Sequence, residues 1–328
     1  MKHLKTLAAT LALFGSAMAA HAGATAYIPL GSANEVIAVD TATHTINQHY
    51  SGVANPHGLV ATPDGEYLIA GSLTETPLPA GAAADTPNSK LYVIHPAHGH
   101  VMSEIPVSGW THHEAITPDG RYVISTHPTR GGVSVADLDA NRVIKTIATG
   151  ATPNYTVVTR DGKYAYVSNT GDASISEIDL TTWSVTRRLE AGPTPEHLVF
   201  SPDENTLYVS NDRKGTVSVV SRERGTVEHT YTVGKRIHGL VLGDDGTTLF
   251  ASDRSGGRLV ALDTVTGTQR EIALAPEPYH LDRIAGTGKI YVSSSKAPTI
   301  WVVDQKRFTV TGTIDLPGGS GHQAAVVP

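Results

Sequence analysis

The chain has 328 residues, of which 40% are hydrophobic, and it contains 32 glycines and 19 prolines. This composition excludes a disordered chain and suits a turn-rich globular protein. The formal net charge is −6 and no block of lysine or arginine occurs, so nucleic acid is not expected as a partner. The chain has no cysteine, which excludes disulfides and thiolate ligands. Histidine would therefore supply most ligands of any transition metal.

The first 22 residues, "MKHLKTLAATLALFGSAMAAHA", combine a basic start, an apolar run and a small-residue cleavage site at 20–22. This pattern predicts a signal peptide over residues 1–22, with the mature chain beginning at Gly23. The apolar run is shorter than the ~20 residues that a membrane helix needs, and no other stretch approaches that length. We expect an exported protein, periplasmic or secreted, without a membrane span.

From Gly23 onward, short β-rich segments alternate with polar turns. "TAYIPLG", "NEVIAVD" and "HTINQHY" come first, and later units contain pairs such as "KYAYVSNTGDASISEIDL", each preceded by a short apolar strand that ends in a turn such as "TPDG". Four short antiparallel strands per unit are typical of a propeller blade. The last unit keeps only "HQAAVVP", so the three N-terminal segments would complete it and leave no free sheet edge. The predicted fold is all-β, a single seven-bladed β-propeller of four-stranded blades over residues 23–328.

Counting back six residues from each turn gives one repeat position per unit. Successive positions are 42 residues apart from His112 onward, and the first step is longer because of an insertion at 73–89. The insertion joins the second and third strands of its blade, which places it on the same face as these positions; it would be a lid or an idle surface loop. The seven positions are His57, His112, Asn154, Glu196, His238, His280 and His322.

These positions lie at the start of the innermost strands, so they would form a ring at one mouth of the central channel. Five of the seven are histidine, although histidine accounts for only 16 of the 328 residues, and two units carry a second histidine at the next position. Neutral imidazoles that cluster around one axis predict a metal site. An all-imidazole site suits copper or zinc, and the ligands exceed the four of one closed zinc site. The predicted ligands are His57, His112, His113, His197, His238, His280 and His322.

Two resemblances accompany these motifs. "YVSN" at 166–169 and 208–211, followed by "SEIDL" and "SVVS", resembles the YVTN-repeat (YncE-like) family of exported propellers, which implies the fold and leaves the function open. The histidine order resembles that of the copper-cluster propeller domain of nitrous oxide reductase, and thiocyanate dehydrogenase is similar in kind. This resemblance implies that all seven histidines are copper ligands. The absence of a cysteine-containing cupredoxin domain argues against reductase activity.

Other residues near the ring are candidates for supporting roles. Glu196 and Glu114 are each a possible ligand, orienting group or general base, and Glu196 is the better placed as a catalytic residue. His127 follows the second strand of its blade on the same face and is either a site residue or a turn histidine. Arg130 is a candidate for binding an anionic substrate, or a solvated loop charge.

Asn154 marks the blade without a histidine, and Tyr155 flanks it. They would leave an opening for substrate or water on that side, or be plain structural residues. A further motif, "HPAHGH", contains His95, His98 and His100. The repeat places it on the opposite face, as a weaker second metal site.

Three functions remain open from the sequence. The protein is a copper-dependent oxidoreductase or copper-handling protein, a periplasmic chaperone that delivers zinc or another metal to an uptake system, or a YncE-like interaction scaffold without catalysis. The partners expected are the metal ion, a small anion, and a metal-transport or redox protein.

Overall fold

The computed structural model describes residues 23–83 and 85–328, so the predicted signal peptide lies outside the described residues. The described residues form 28 strands in seven four-stranded antiparallel sheets, with two single 3₁₀ turns at Gly31–Ala33 and Asp212–Lys214. This confirms the predicted all-β, seven-bladed propeller. None of their helices is long and apolar enough to cross a membrane.

Blade 1 joins the two ends of the chain, as the sequence predicts. Its innermost strand comes from the C-terminus and pairs antiparallel with the first strand of the described chain, Tyr27 lying opposite Ala325. In order from the channel outward, its strands are β28 (Ala325–Val327), β1 (Thr25–Leu30), β2 (Glu35–Asp40) and β3 (Thr45–Ser51). The closure satisfies the edges of both terminal strands within one sheet.

The other six blades each use four consecutive strands, with the first strand of each blade lining the channel. Blade 2 consists of β4 (Pro56–Ala61), β5 (Leu68–Ser72), β6 (Ser89–His95) and β7 (His100–Val107). Blade 3 consists of β8 (Glu114–Ile116), β9 (Tyr122–His127), β10 (Gly132–Asp137) and β11 (Arg142–Ala148). Blade 4 consists of β12 (Pro153–Val158), β13 (Tyr164–Asn169), β14 (Ser174–Asp179) and β15 (Ser184–Glu190). Blade 5 consists of β16 (Pro195–Phe200), β17 (Thr206–Asn211), β18 (Thr216–Ser221) and β19 (Val227–Thr232). Blade 6 consists of β20 (Ile237–Leu242), β21 (Thr248–Asp253), β22 (Arg258–Asp263) and β23 (Gln269–Ala273). Blade 7 consists of β24 (Pro278–Ile284), β25 (Lys289–Ser294), β26 (Thr299–Asp304) and β27 (Thr309–Asp315).

Packing between neighbouring blades forms the core. The second and third strands are buried on both faces, whereas the fourth strand is mostly exposed. Between blades 5 and 6, for example, Val217 of β18 belongs to the same buried cluster as Leu249 and Val260. The apolar layers hold the inner strands in fixed positions around the channel.

One irregularity changes the register of a single blade. In six blades the fourth strand carries an extra residue opposite the third strand, a β-bulge, as between Val219 and Val220 in blade 5. The pairing of β22 with β23 in blade 6 is regular and has no such residue. The next blade therefore begins one residue earlier than the 42-residue period predicts.

A candidate metal centre at the mouth of the channel

A bulge at the start of the innermost strand directs two consecutive residues toward the channel. In blade 5, Pro195 pairs with Asn211 and Leu198 with Val209, so Glu196 and His197 together lie opposite the single residue between those partners. Blades 2, 4, 6 and 7 have the same shift. In a regular strand adjacent side chains point to opposite faces, whereas a bulge re-aims one of them. Each blade therefore contributes one residue to a first ring and the next residue to a second ring.

Hydroxyl groups hold the second ring in place. The backbone N–H of His197 donates to Ser210 Oγ at 2.9 Å, and the Ser210 hydroxyl donates to the carbonyl of His238 in the next blade, also at 2.9 Å. Thr126 and Ser293 accept the N–H groups of His113 and His280 in the same way. These hydroxyl bridges fix the backbone that presents the imidazoles.

The structure corrects the predicted position of one histidine. Pro278 pairs with Ser294 in blade 7, as Ile237 pairs with Asp253 in blade 6, so Tyr279 and not His280 is the equivalent of His238. The missing bulge in β23 is the reason. His280 belongs to the second ring with His113 and His197, and the first ring is His57, His112, Asn154, Glu196, His238, Tyr279 and His322.

Despite this shift, all seven predicted histidines lie in one cluster. The ring centroids of His57 and His322 are 3.7 Å apart, and those of His112 and His113 are 4.3 Å apart. The Nε2 atoms of His238 and His280 are separated by 3.4 Å. Two nitrogens bound tetrahedrally at about 2.0 Å from one ion would be about 3.3 Å apart. This separation therefore fits two ligands of a common metal ion.

Three overlapping triads can each hold an ion, since their ligand atoms lie within 4.8 Å of one another. His57, His113 and His280 each belong to two triads, so one residue change would affect more than one position. The triads are His57–His280–His322, His57–His112–His113 and His113–His197–His280.

Several imidazole nitrogens are buried without a hydrogen-bond partner among the described residues. Both nitrogens of His57 and the Nε2 atoms of His113 and His197 are in this state. The carbonyl of Asn154 lies 3.1 Å from His113 Nδ1 and can only accept, so Nδ1 carries the proton and Nε2 presents its lone pair. A buried polar atom without a partner costs about 1–3 kcal/mol. The donor set therefore fits a metal ion.

The cluster is electrically neutral before any ion binds. Burial lowers the pKa of His57, His197, His238, His280 and His322 well below the usual imidazole value, and neighbouring imidazoles lower it further. The pKa values of His112 and His113 are lowered by burial as well. Neutral imidazole is the form that binds transition metals.

Glu196 is the carboxylate of the first ring and contacts a ligand directly. Its Oε2 atom lies 2.5 Å from Nδ1 of His238. Burial raises the pKa of Glu196, and nearby groups, among them the guanidinium of Arg254, offset part of that rise. A carboxylate on the far nitrogen of a metal-binding imidazole fixes the tautomer and the ring orientation. This contact suits Glu196 to orienting His238.

Glu114 lies beside the cluster in a space that two glycines leave open. A Cβ atom on Gly58 or Gly71 would fall within 2 Å of a Glu114 carboxylate oxygen. Neither oxygen makes a hydrogen bond of ordinary geometry among the described residues. Burial raises the pKa of Glu114 to about 8, and the Thr111 hydroxyl offsets little of that rise. Glu114 therefore packs between blades 2 and 3 as a protonated carboxyl and belongs to none of the triads.

His127 and Arg130 do not take part in the cluster. Nε2 of His127 lies 2.8 Å from Ser134 Oγ, and its Nδ1 contacts the carbonyls of Gly109 and Trp110, which makes it a structural histidine. Burial lowers the pKa of His127 to about 4. Arg130 contacts Ser108, Asn88 and Glu75 and so ties the inserted loop to the blade.

The two ends of the inserted loop, at Glu75 and Asn88, lie at the rim of the channel. Glu75 accepts the backbone N–H of Trp110 at 2.8 Å, and Asn88 accepts that of Gly109 at 2.8 Å. The Trp110 ring packs edge-on against His112, with 5.7 Å between the centroids. The base of the loop is thereby attached to the rim of the channel.

Aromatic rings stack on two histidines of the cluster. Tyr155 stacks on His197 at 4.3 Å, and Tyr279 stacks on His238 at 4.1 Å with an interplanar angle of 8°. The Oδ1 atom of Asn154 is buried and has no hydrogen-bond partner among the described residues. Asn154 and Tyr155 therefore line the part of the cluster that has no histidine.

Arg254 is a residue of the site that sequence reasoning missed. Its guanidinium lies over Tyr279, with 4.7 Å from Cζ to the ring centroid. The sequence signal that could have found Arg254 is a positive residue directly after the second strand of its blade. The equivalent positions of other blades hold no positive residue: Pro128, Thr170, Asp212 and Ser295.

The "HPAHGH" motif lies on the opposite face, in the hairpin between β6 and β7. His95 and His98 stack at 4.0 Å, but the Nδ1 atom of His100 is engaged with the carbonyl of His98. Among the described residues these three histidines form no triad with converging ligand atoms.

Comparison with known proteins adds the family. The sequence profile described as "Lactonase, 7-bladed beta-propeller" matches residues 102–276, just over half of the chain. The chain belongs to this family. The match spans His112 to His238 and leaves out His57, His280 and His322. No curated protein matches this lactonase-family propeller significantly.

Solved structures of similar shape are numerous. The periplasmic gluconolactonase PpgL of Pseudomonas aeruginosa is 18% identical, with a TM-score of 0.74 over 93% of this chain and 99% of that one. A putative 6-phosphogluconolactonase of Bacteroides fragilis is 16% identical, with a TM-score of 0.75 over 94% and 99%. The hydrazine synthase of Kuenenia stuttgartiensis is 18% identical, with a TM-score of 0.69 over 80% and 86%. At these identities the likeness shows the fold alone.

Proposed function

We propose that this lactonase-family propeller is an exported copper-binding protein whose histidine cluster holds more than one copper ion and serves copper-dependent redox chemistry or copper handling. The observation that carries the proposal is the convergence of seven neutral histidines at one mouth of the channel, six of them in overlapping triads. Seven imidazoles are more ligands than one ion takes. Histidines that belong to two triads suit a cluster of neighbouring ions. When bound, copper would supply one-electron chemistry.

Ligand chemistry favours copper over the harder metals. The triads contain imidazole alone, whereas calcium and magnesium prefer oxygen ligands. Between copper and zinc, the excess of ligands favours a cluster over one closed tetrahedral site. The histidine order shared with the copper-cluster propeller of nitrous oxide reductase supports the same choice, and the YVTN-like motifs with the N-terminal leader pattern support export.

The zinc-chaperone hypothesis is less well supported by the geometry. A chaperone must release its ion readily, whereas His57, His113, His197, His238 and His280 are almost completely buried within a closed ring of blades. The hypothesis of an interaction scaffold does not explain why imidazole nitrogens such as both of those of His57 are buried without hydrogen-bond partners. Both alternatives remain outcomes of the metal analysis below.

Lactone hydrolysis is a second candidate, favoured by the family and by the contact between Glu196 and His238. A carboxylate 2.5 Å from an imidazole nitrogen is the arrangement of a general base and its orienting group. Hydrolysis of glucono-δ-lactone that persists in metal-free protein and is lost in Glu196→Gln would favour this function over the copper centre.

Metal analysis of the protein purified from the periplasm tests the proposal. We expect more than one copper per chain and an EPR signal of Cu(II) in imidazole ligation after oxidation. His238→Ala combined with His280→Ala should lose most of the copper. His95→Ala combined with His98→Ala, on the opposite face, is the matched control and should retain it. A colourless protein with one zinc that a chelator removes readily would contradict the proposal.

A further inference from the structure

The ligand set of the proposed centre carries too little negative charge for the ions it would hold. Imidazole binds a metal ion as a neutral ligand, and Glu196 is the carboxylate within ion-pair distance of the cluster among the described residues. The carboxyl of Glu114 lies against Gly58 and Gly71 and belongs to none of the triads. Two or more copper ions would therefore leave a net positive charge in a buried site, where uncompensated charge is costly.

Arg254 places a further positive charge at the rim of the cluster. The guanidinium lies on Tyr279, which itself stacks on His238, so an arginine, a phenol and a ligand imidazole form one column. The Nε atom of Arg254 is buried and has no hydrogen-bond partner among the described residues. The carboxylate of Glu277 is 3.7 Å from Nη2, beyond hydrogen-bond distance, and Glu277 instead accepts the Ser295 hydroxyl at 2.7 Å.

Two other arginines on this face are already engaged. Arg236 forms a two-point ion pair with Asp212, and Arg130 contacts Glu75, Ser108 and Asn88. The side chain of Arg254 retains 24% of its exposure, so solvent and small solutes can reach it. The buried Nε atom is not the part that a solute reaches, so the exposed part of the guanidinium is the one open to solvent.

We propose that the mouth between Arg254 and the histidine cluster is a binding site for a small inorganic anion, which neutralises the metal charge and is held by the Arg254 guanidinium. This inference rests on the proposed metal function. A guanidinium binds anions through charge-assisted hydrogen bonds, which are roughly twice as strong as neutral ones. The Tyr279 ring beneath it excludes water from one side and fixes its plane.

Azide is the probe that tests the site, because its binding to Cu(II) produces a charge-transfer absorption band that requires no turnover. Copper-loaded protein is titrated with azide by visible spectroscopy and by calorimetry. Arg254→Gln removes the charge-assisted hydrogen bonds that the guanidinium would donate to the anion. We expect Arg254→Gln to weaken azide binding about 10-fold or more. Arg254→Lys, which keeps the charge, should lose less.

Arg270→Gln is the matched control. Arg270 also stacks on an aromatic ring, that of Phe308 at 5.0 Å, but it lies on the outer strand β23. The azide affinity of the Arg270→Gln variant should equal that of the wild type. Equal azide affinity in Arg254→Gln and wild type, at equal copper content, would overturn the anion site. A protein that takes up no copper would instead overturn the proposed function.

Discussion

His113 illustrates how the backbone decides which imidazole nitrogen faces the centre. Its Nδ1–H group donates a hydrogen bond to the carbonyl of Asn154 in the next blade, and its backbone N–H donates to the hydroxyl of Thr126. The ring is thereby fixed in tautomer and orientation before any ion arrives. Glu196 Oε2 lies 2.5 Å from Nδ1 of His238, a contact that restricts the orientation of that imidazole. Preorganised ligands of this kind lower the entropic cost of metal binding.

Glu114 offers a pH-dependent test at the residue scale. Its pKa is raised to about 8 in the folded protein, whereas the unfolded chain releases the proton near 4.5. The contribution of the protonated Glu114 carboxyl to the free energy of unfolding is complete below about pH 4.5 and is lost as the pH rises toward 8. Glu114→Gln cannot ionise, so in metal-free protein its melting temperature should match the wild type at pH 5 and exceed it at pH 8.

Differential scanning calorimetry at the two pH values checks this prediction. Glu104→Gln, at an exposed position of β7 where the carboxylate pairs with Lys90, is the control and should not gain stability at pH 8. A Glu114→Gln variant that is less stable than wild type at pH 8 would show that the ionised carboxylate makes a favourable contact.

At the scale of elements, the bulges of the inner strands and their hydroxyl bridges build the site. Each bulge brings two adjacent residues to the channel, and each hydroxyl joins one blade to the next. Ser210 serves both purposes, since it accepts from His197 and donates to His238.

Ser210→Ala should destabilise the protein by about 1–3 kcal/mol, because it leaves a buried N–H and a buried carbonyl without partners. Urea unfolding measures the loss, and metal analysis should show weaker copper retention. Ser184→Ala, on the exposed strand β15, should change stability by less than about 0.5 kcal/mol. Equal stability of the two variants would mean that the bridge is not important.

The repeat predicts the blades and the cluster because each blade uses the same turns and the same apolar strands. It fails at His280 for a physical reason. The bulge residue missing from β23 is offset by a longer connection between β27 and the C-terminal strand, so the 42-residue count is kept while the register shifts. Strict alternation along a strand would also separate His112 from His113. Arg254 directly follows the second strand of one blade, and the equivalent positions of the other blades hold no arginine, so the repeat does not indicate it.

At the scale of the whole molecule, the cluster connects the two ends of the chain. His322 comes from the C-terminal strand that closes blade 1, and His57 from the first strand of blade 2. The seven histidines belong to six of the seven blades, so a bound ion would cross-link the ring. Ion binding to the folded state alone stabilises it by about 4 kcal/mol when free metal exceeds the Kd a thousandfold.

Metal removal should therefore lower the melting temperature at neutral pH. Because the folded protein keeps its cluster histidines neutral while the unfolded chain takes up protons, stability in the metal-free state should be retained above about pH 6.5 and lost as the pH falls below it. Protons also compete with the metal, so copper content should fall over the same range. Melting curves of both forms from pH 5 to 8 test this, and a melting temperature unaffected by chelation would contradict it.

The central claim is that copper binds within the cluster of seven histidines. Crystals of the copper-loaded protein, measured on both sides of the copper absorption edge, locate the ions directly. We predict anomalous peaks among His57, His113 and His280, with at least two ions bound by imidazole nitrogens. Anomalous density confined to His95 and His98, or no density at the mouth of the channel, would contradict the account.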